Sequence, residues 1–276
     1  MDDEMRDFEA VEFEHDGISR TVFRQGSGPA VIVLAELPGI TPRVLEFARR
    51  LPPRGMTVIL PQLFGTAGRD PAARSRIGMA RMGIGVIGSL CVSRDFAILA
   101  TGRTSPIVNW LRSLARNEHE RSGGPGVGAV GMCFTGGFAL AMAVDDRLVA
   151  PVLSQPSLPV GLTACHRRSV GLSVSDFAAV KRRCASGQLD VLGLRFSSDR
   201  LCPPERFATL REELGDAFVG IELDPDDANP DALIAPHSVL TEHLIDLPGQ
   251  PTRAALDQVL DFLDTRLRGA STGGTQ

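Results

Sequence analysis

The sequence has almost no lysine. Of its 29 basic residues only Lys181 is one, and the rest are arginine, a bias that genomic base composition explains more simply than function. Cysteine is sparse and unpaired in pattern: Cys91, Cys133, Cys165, Cys184 and Cys202 are odd in number, widely spaced, and form no CxxC. That argues against a disulfide framework or a structural zinc site and implies a reducing, cytoplasmic setting. No apolar run approaches membrane-spanning length, and the opening MDDEMRDFEA is acidic, with no apolar signal core. A net charge of −4 argues against nucleic acid as a partner. A Walker A lysine motif is missing. The stretch around His119 (Asn-Glu-His-Glu-Arg) is not HExxH, and no carboxylate–histidine group has metal-ligand spacing. Residues 126–131 match GxGxxG, but they follow a helix and run into a strand, the reverse of a dinucleotide fingerprint. Neither cofactor nor metal is expected.

What remains is 43% hydrophobic, with a mean hydropathy of +0.05 over 276 residues. That suffices for one large core. Residues 1–268 are expected to form a single domain, and the GASTGGTQ tail at 269–276 to be disordered. Loose alternation over 8–24, around His15-Asp16-Gly17, predicts an antiparallel hairpin. Continuous apolar runs at Ala30 to Ala35, Met56 to Leu60, Val149 to Leu153, Val191 to Phe196 and Phe218 to Leu223 read as buried strands. Helical spacing covers Val44 to Leu51, Ser105 to His119, Phe138 to Val144, Ser175 to Ala185 (with Ser175 as N-cap), Pro204 to Leu214 and Thr252 to Arg268. Residues 64–80 read as loop or short helices, 79–101 as an ambiguous glycine-containing stretch, and 157–173 as a Pro/Gly-rich excursion. Strands alternating with helices predict an α/β fold: a mainly parallel sheet, helices on both faces, and an antiparallel hairpin at its start.

The stretch from Gly128 to Gly137 carries the chemistry. It reads as a short strand, a sharp turn bearing Cys133, and the start of an apolar helix. A nucleophile on a strand-to-helix turn is the elbow of the α/β-hydrolase fold, where the turn lifts the side chain clear of the sheet. On its own, a cysteine beside an apolar helix is more often core packing. Position raises the functional reading. In such sheets the site lies at the carboxyl ends of the strands, and Glu36, Cys133, Asp199 and His237 each fall just past a strand. The order Cys133, Asp199, His237 is nucleophile, acid, histidine, as in that fold. An imidazole beside a cysteine promotes its thiolate, and a carboxylate fixes the imidazole tautomer. Competing acids are Asp190, at the wrong end of its strand, and Asp224, past the last one. His243 competes with His237, but its surroundings (Thr241 to Ile245) suggest a helix start or strand and a structural role. His15, His119 and His166 look solvated.

These segments resemble the dienelactone hydrolase family over roughly residues 10–268. Gly131-Met132-Cys133-Phe134 with the following glycines is similar to its GxCxGG elbow, and Glu36-Leu37-Pro38-Gly39 to its glutamate segment. Asp199 to Pro204 is similar to its acid-plus-proline segment, and Pro236-His237-Ser238 to its histidine loop. The resemblance implies hydrolysis of a small ester, lactone or thioester by a Cys133–His237–Asp199 triad. It also implies backbone N–H groups of Leu37 and Phe134 as the oxyanion hole, and Glu36 engaging the resting thiol. Two departures stand out. Thr135 occupies the position of the first glycine, where a side chain is expected to crowd the strand–helix crossing. Thr241 stands where dienelactone-cleaving members carry a substrate-binding arginine, for which Arg94 or Arg103 are weak substitutes. The alternative is a non-catalytic protein of the same fold that binds a small molecule and keeps Cys133 as a remnant or redox-sensitive thiol; Thr135 is its main support.

Overall fold

The computed structural model describes residues 2–70 and 102–268. The readings for 71–101, with Cys91 and Arg94, and for the tail lie outside them. Within them an eight-stranded sheet runs β1 (Glu9–His15), β2 (Ile18–Gly26), β3 (Ala30–Leu34), β4 (Thr57–Pro61), β5 (Val127–Met132), β6 (Leu148–Ser154), β7 (Val191–Phe196) and β8 (Phe218–Leu223) in chain order. In space the order is β1-β2-β4-β3-β5-β6-β7-β8. The β1–β2 and β2–β4 pairs are antiparallel, and every pairing from β4 to β8 is parallel. The sheet therefore opens as the expected hairpin and continues as a parallel array.

Helices cover both faces: α1 (Pro42–Ala48), α2 (Ile107–Ser122), α3 (Gly136–Met142), α4 (Ala164–Arg168), α5 (Val174–Ala185), α6 (Pro204–Leu214) and α7 (Pro251–Arg268). Strand alternation decides which residue meets which layer. Ala30, Ile32 and Leu34 of β3 join Trp110, Leu111 and Leu114 of α2 and the apolar residues of α3. Val31 and Val33 join Val44, Leu45 and Phe47 of α1 and Leu256, Val259 and Leu263 of α7. The continuous apolar run of β3 follows from this double burial.

Two local readings need correction. The N-cap of α5 is Ser173, whose hydroxyl accepts from Asp176 N–H at 3.1 Å, and not Ser175. Both serines precede the same apolar face, and the two-residue extension is ordinary for a helix boundary. The 157–173 excursion also holds a short helix, α4, capped by Thr163. It is pinned by Arg206 of α6, which is buried. Its guanidinium donates to the carbonyls of Ser169, Pro156 and Pro159, each at 2.6 Å, and of His166 at 3.0 Å. Burial holds the Arg206 pKa below its usual value, as expected for a desolvated cation. No helix among the described residues is long and apolar enough to cross a membrane.

Candidate active site

The carboxyl edge of the parallel strands gathers Glu36, Cys133, Gln155, Asp199 and the His237 loop. Cys133 directly follows β5 and opens a 3₁₀ turn, Cys133–Thr135, that leads into α3. Its φ is +54°, in the left-handed region that non-glycine residues avoid except under constraint. Close packing supplies that constraint. A Cβ at Gly131 would collide with the Thr135 carbonyl, and one at Gly136 would lie 2.6 Å from Pro156 Cα. Those two glycines permit the crossing.

Thr135 does not crowd it. Its φ of −90° is ordinary helical backbone, so nothing there demands glycine. The side chain is fully buried and its hydroxyl is used twice. It accepts from Met132 N–H at 2.9 Å and donates toward the Leu34 carbonyl at 2.8 Å, with the Met132 carbonyl at 2.9 Å as the competing acceptor. One threonine thus ties the elbow to the end of β3, and the main support for a degraded site falls away.

His237 Nδ1 lies 2.7 Å from Asp199 Oδ2, and both side chains are buried. The other carboxylate oxygen, Oδ1, accepts from the backbone N–H groups of Leu201 at 2.9 Å and Cys202 at 3.2 Å, which fixes its orientation. His237 Nε2 is buried without a hydrogen bond of ordinary geometry. The Cys133 side chain is the group that acts on it. Burial works against a charged imidazole, but the neighbouring Cys133 side chain and the Asp199 carboxylate outweigh it and hold the His237 pKa well above the usual 6.5. Burial instead pushes the thiols of Cys184 (to about 11) and Cys202 up, so both stay protonated and unreactive at neutral pH.

Glu36 is buried beside this group, but its carboxylate is held by other donors. Ser238 Oγ donates to Oε2 at 2.6 Å, Thr241 Oγ1 donates to Oε1, and Gln155 Nε2 reaches Oε2 at 3.2 Å. Gln155, which follows β6 at a φ of +36°, also accepts from Val239 N–H at 3.3 Å. Thr241, at the expected arginine position, thus serves Glu36. Phe134 follows the thiol in sequence and Leu37 follows Glu36; as the second residue of a 3₁₀ turn, Phe134 has an N–H without a carbonyl in its own turn. Arg103 is exposed. Asp190 pairs with Arg266 and Asp224 caps a 3₁₀ turn, so neither joins the site. His243 lies in a turn, not in a helix or strand, and its ring supports the His237 loop. His15, His119 and His166 are half-buried and not fully solvated.

Nothing in the sequence pairs Ser238, Thr241 or Gln155 with Glu36. The available signal was position: each is a polar residue at the catalytic edge, two in the histidine loop and one immediately past β6.

Several solved structures share the fold. A dienelactone hydrolase from Anabaena variabilis has a TM-score of 0.59 and 15% identity, covering 95% of this chain and 98% of its own. A dienelactone hydrolase-like promiscuous phosphotriesterase from metagenomic libraries has a TM-score of 0.59 and 18% identity, covering 94% and 98%. A cold-adapted esterase from an Arctic intertidal metagenomic library has a TM-score of 0.53 and 17% identity, covering 96% and 97%. No curated protein matches the sequence. The model of the dienelactone hydrolase family matches residues 19–159, a span that includes the glutamate segment, the cysteine elbow and Gln155. With that match and the sheet order above, the chain belongs to the dienelactone hydrolase family, a family of α/β-fold hydrolases.

Proposed function

We propose that the protein hydrolyses a small carboxylic ester, lactone or thioester through a covalent acyl-cysteine. The observation that carries this reading is Cys133 on a left-handed elbow beside a buried imidazole whose far nitrogen is 2.7 Å from an oriented carboxylate. That is the arrangement nucleophilic catalysis requires. His237 Nε2 takes the thiol proton, and the sulfur attacks the carbonyl carbon. The N–H groups of Leu37 and Phe134 stabilise the resulting oxyanion. Collapse of the tetrahedral species breaks the bond to the leaving group, which departs with the proton from His237. Water then gives a proton to His237, attacks the thioester carbonyl, and releases the acid and the thiol. Asp199 holds the Nδ1–H tautomer throughout. Glu36 is the proposed modulator of the thiol, acting from a carboxylate held by Ser238, Thr241 and Gln155. With Thr241 committed to Glu36, substrate binding is proposed not to depend on a carboxylate clamp at that position.

The test is turnover of p-nitrophenyl acetate, a simple thioester, a simple lactone and a dienelactone by wild type and Cys133→Ala, with iodoacetamide adducts mapped by mass spectrometry. Mapping matters because Cys165 is exposed whereas Cys133 is buried. Turnover that disappears in the variant, with rapid alkylation of Cys133, is expected. Turnover retained in Cys133→Ala would refute the mechanism. A slow Cys133 with no turnover of any substrate would favour a binding protein.

A further inference from the structure

His243 is almost fully buried six residues after His237, and no step above uses it. Its ring is hydrogen-bonded on both nitrogens. Nδ1 accepts from the Ser238 N–H at 3.1 Å and the His237 N–H at 3.4 Å, and Nε2 lies 3.1 Å from the Ile234 carbonyl. A carbonyl only accepts, so Nε2 carries the proton and Nδ1 the lone pair. The ring packs edge-to-face on Phe196, at a centroid distance of 5.7 Å. Phe196 ends β7, three residues before Asp199, and its carbonyl accepts from Asp199 N–H at 3.1 Å. His243 therefore joins the backbone that carries the histidine to the strand end that carries the acid.

We propose that His243 is a positioning residue for catalysis: its neutral Nε2–H ring sets the backbone of the His237 loop, and so the aim of His237 at Asp199 and Cys133. This rests on the triad reading above. The charged or titratable groups that act on the ring are His237, Glu36 and Asp199. Burial, the largest influence, holds the pKa of His243 below the usual 6.5, so at neutral pH the Nδ1 lone pair is available. Protonation converts Nδ1 from acceptor to donor, facing two backbone N–H groups with which it then cannot bond.

The chemistry of the amide side chains separates positioning from bulk. Asparagine places its carbonyl oxygen near the position of Nδ1, whereas glutamine places it near Nε2. His243→Asn is therefore expected to keep the acceptor, and His243→Gln and His243→Leu to lose it. A loop misplaced by about 1 Å costs on the order of 10²-fold in kcat, and KM should hardly change because His243 does not face substrate. Three readouts decide. The first is kcat against KM on the best ester, and the second is the rate of Cys133 alkylation. The third is the downfield proton resonance of the His237–Asp199 hydrogen bond, which needs no substrate. Asparagine should retain all three and glutamine should lose them, a comparison that survives if the leucine variant does not fold. Glutamine behaving like asparagine, or leucine like wild type, overturns the proposal. If Cys133→Ala keeps turnover, the triad mechanism fails instead, and the proton resonance still reports whether His243 positions His237.

Discussion

Replacing Thr135 by valine tests the elbow directly. The two side chains have nearly the same shape, so the change opens no cavity and differs only in the hydroxyl. In wild type that hydroxyl accepts from Met132 N–H and donates toward the Leu34 carbonyl, at a fully buried position. Leaving a buried N–H without an acceptor costs about 1–3 kcal/mol, and the lost bond to Leu34 adds about 0.5–1.5 kcal/mol. The expected destabilisation is about 1.5–4.5 kcal/mol. Thr135→Ser keeps the hydroxyl and loses one methyl, at a cost of about 1 kcal/mol. A purely hydrophobic account predicts the opposite order, since valine is the more apolar side chain. Urea unfolding with an unchanged m-value measures the difference. Cys133 lies between Met132 and Thr135, so kcat should fall at least about tenfold in the valine variant as the nucleophile moves. A valine variant as stable and as active as wild type would refute the role given to this hydroxyl.

Arg206→Met should be severe. It leaves the buried carbonyls of Pro156 and Pro159 and the half-buried ones of Ser169 and His166 without their donor, at about 1–3 kcal/mol for each buried one. For a chain of this size that lowers the melting temperature by roughly 10 °C; a shift under 2 °C by calorimetry would contradict the account. Asp199→Asn should reduce kcat by on the order of 10³- to 10⁴-fold, because an amide can donate to Nδ1 and so favours the wrong tautomer; steady-state kinetics with near wild-type turnover would remove Asp199 from the mechanism. The pH dependence of stability has a definite sign at His243. Its folded pKa lies below 6.5, so the unfolded chain binds the extra proton first and stability is lost as pH falls below about 6.5. His243→Asn should flatten that part of the curve in denaturant titrations repeated across pH 5 to 7, relative to wild type.

Apolar runs disclosed the parallel strands because double burial leaves no other composition open to them, and β3, β4, β6, β7 and β8 begin and end within one residue of the reading. The grouping of Cys133, Asp199 and His237, the proposed triad, was legible for a related reason: in a parallel sheet, a polar residue just past a strand has only one edge to occupy. What escaped the sequence depends on distance through space. Gln155 and Thr241 meet at Glu36 from opposite parts of the chain, and no spacing encodes that. The glycine that the family pattern has at position 135 does not reveal whether the backbone there needs positive φ, and in this chain it does not. Arg206 has the sequence of an ordinary helical arginine, and its buried role exists only once the 156–169 segment folds over it.

The hydrogen bonds from Ser238 and Thr241 to Glu36 span more than two hundred residues, and this sets an order of events during biosynthesis. At translation rates of roughly 5–20 residues per second, Cys133 is made on the order of five to twenty seconds before His237. Through that interval the elbow can form with its strand neighbours β3 and β6, since both are synthesised before His237. The thiol has no imidazole beside it until the last quarter of the polypeptide arrives. On the proposed mechanism the nucleophile is therefore completed late, when the growing chain brings His237 to the carboxyl edge of the sheet.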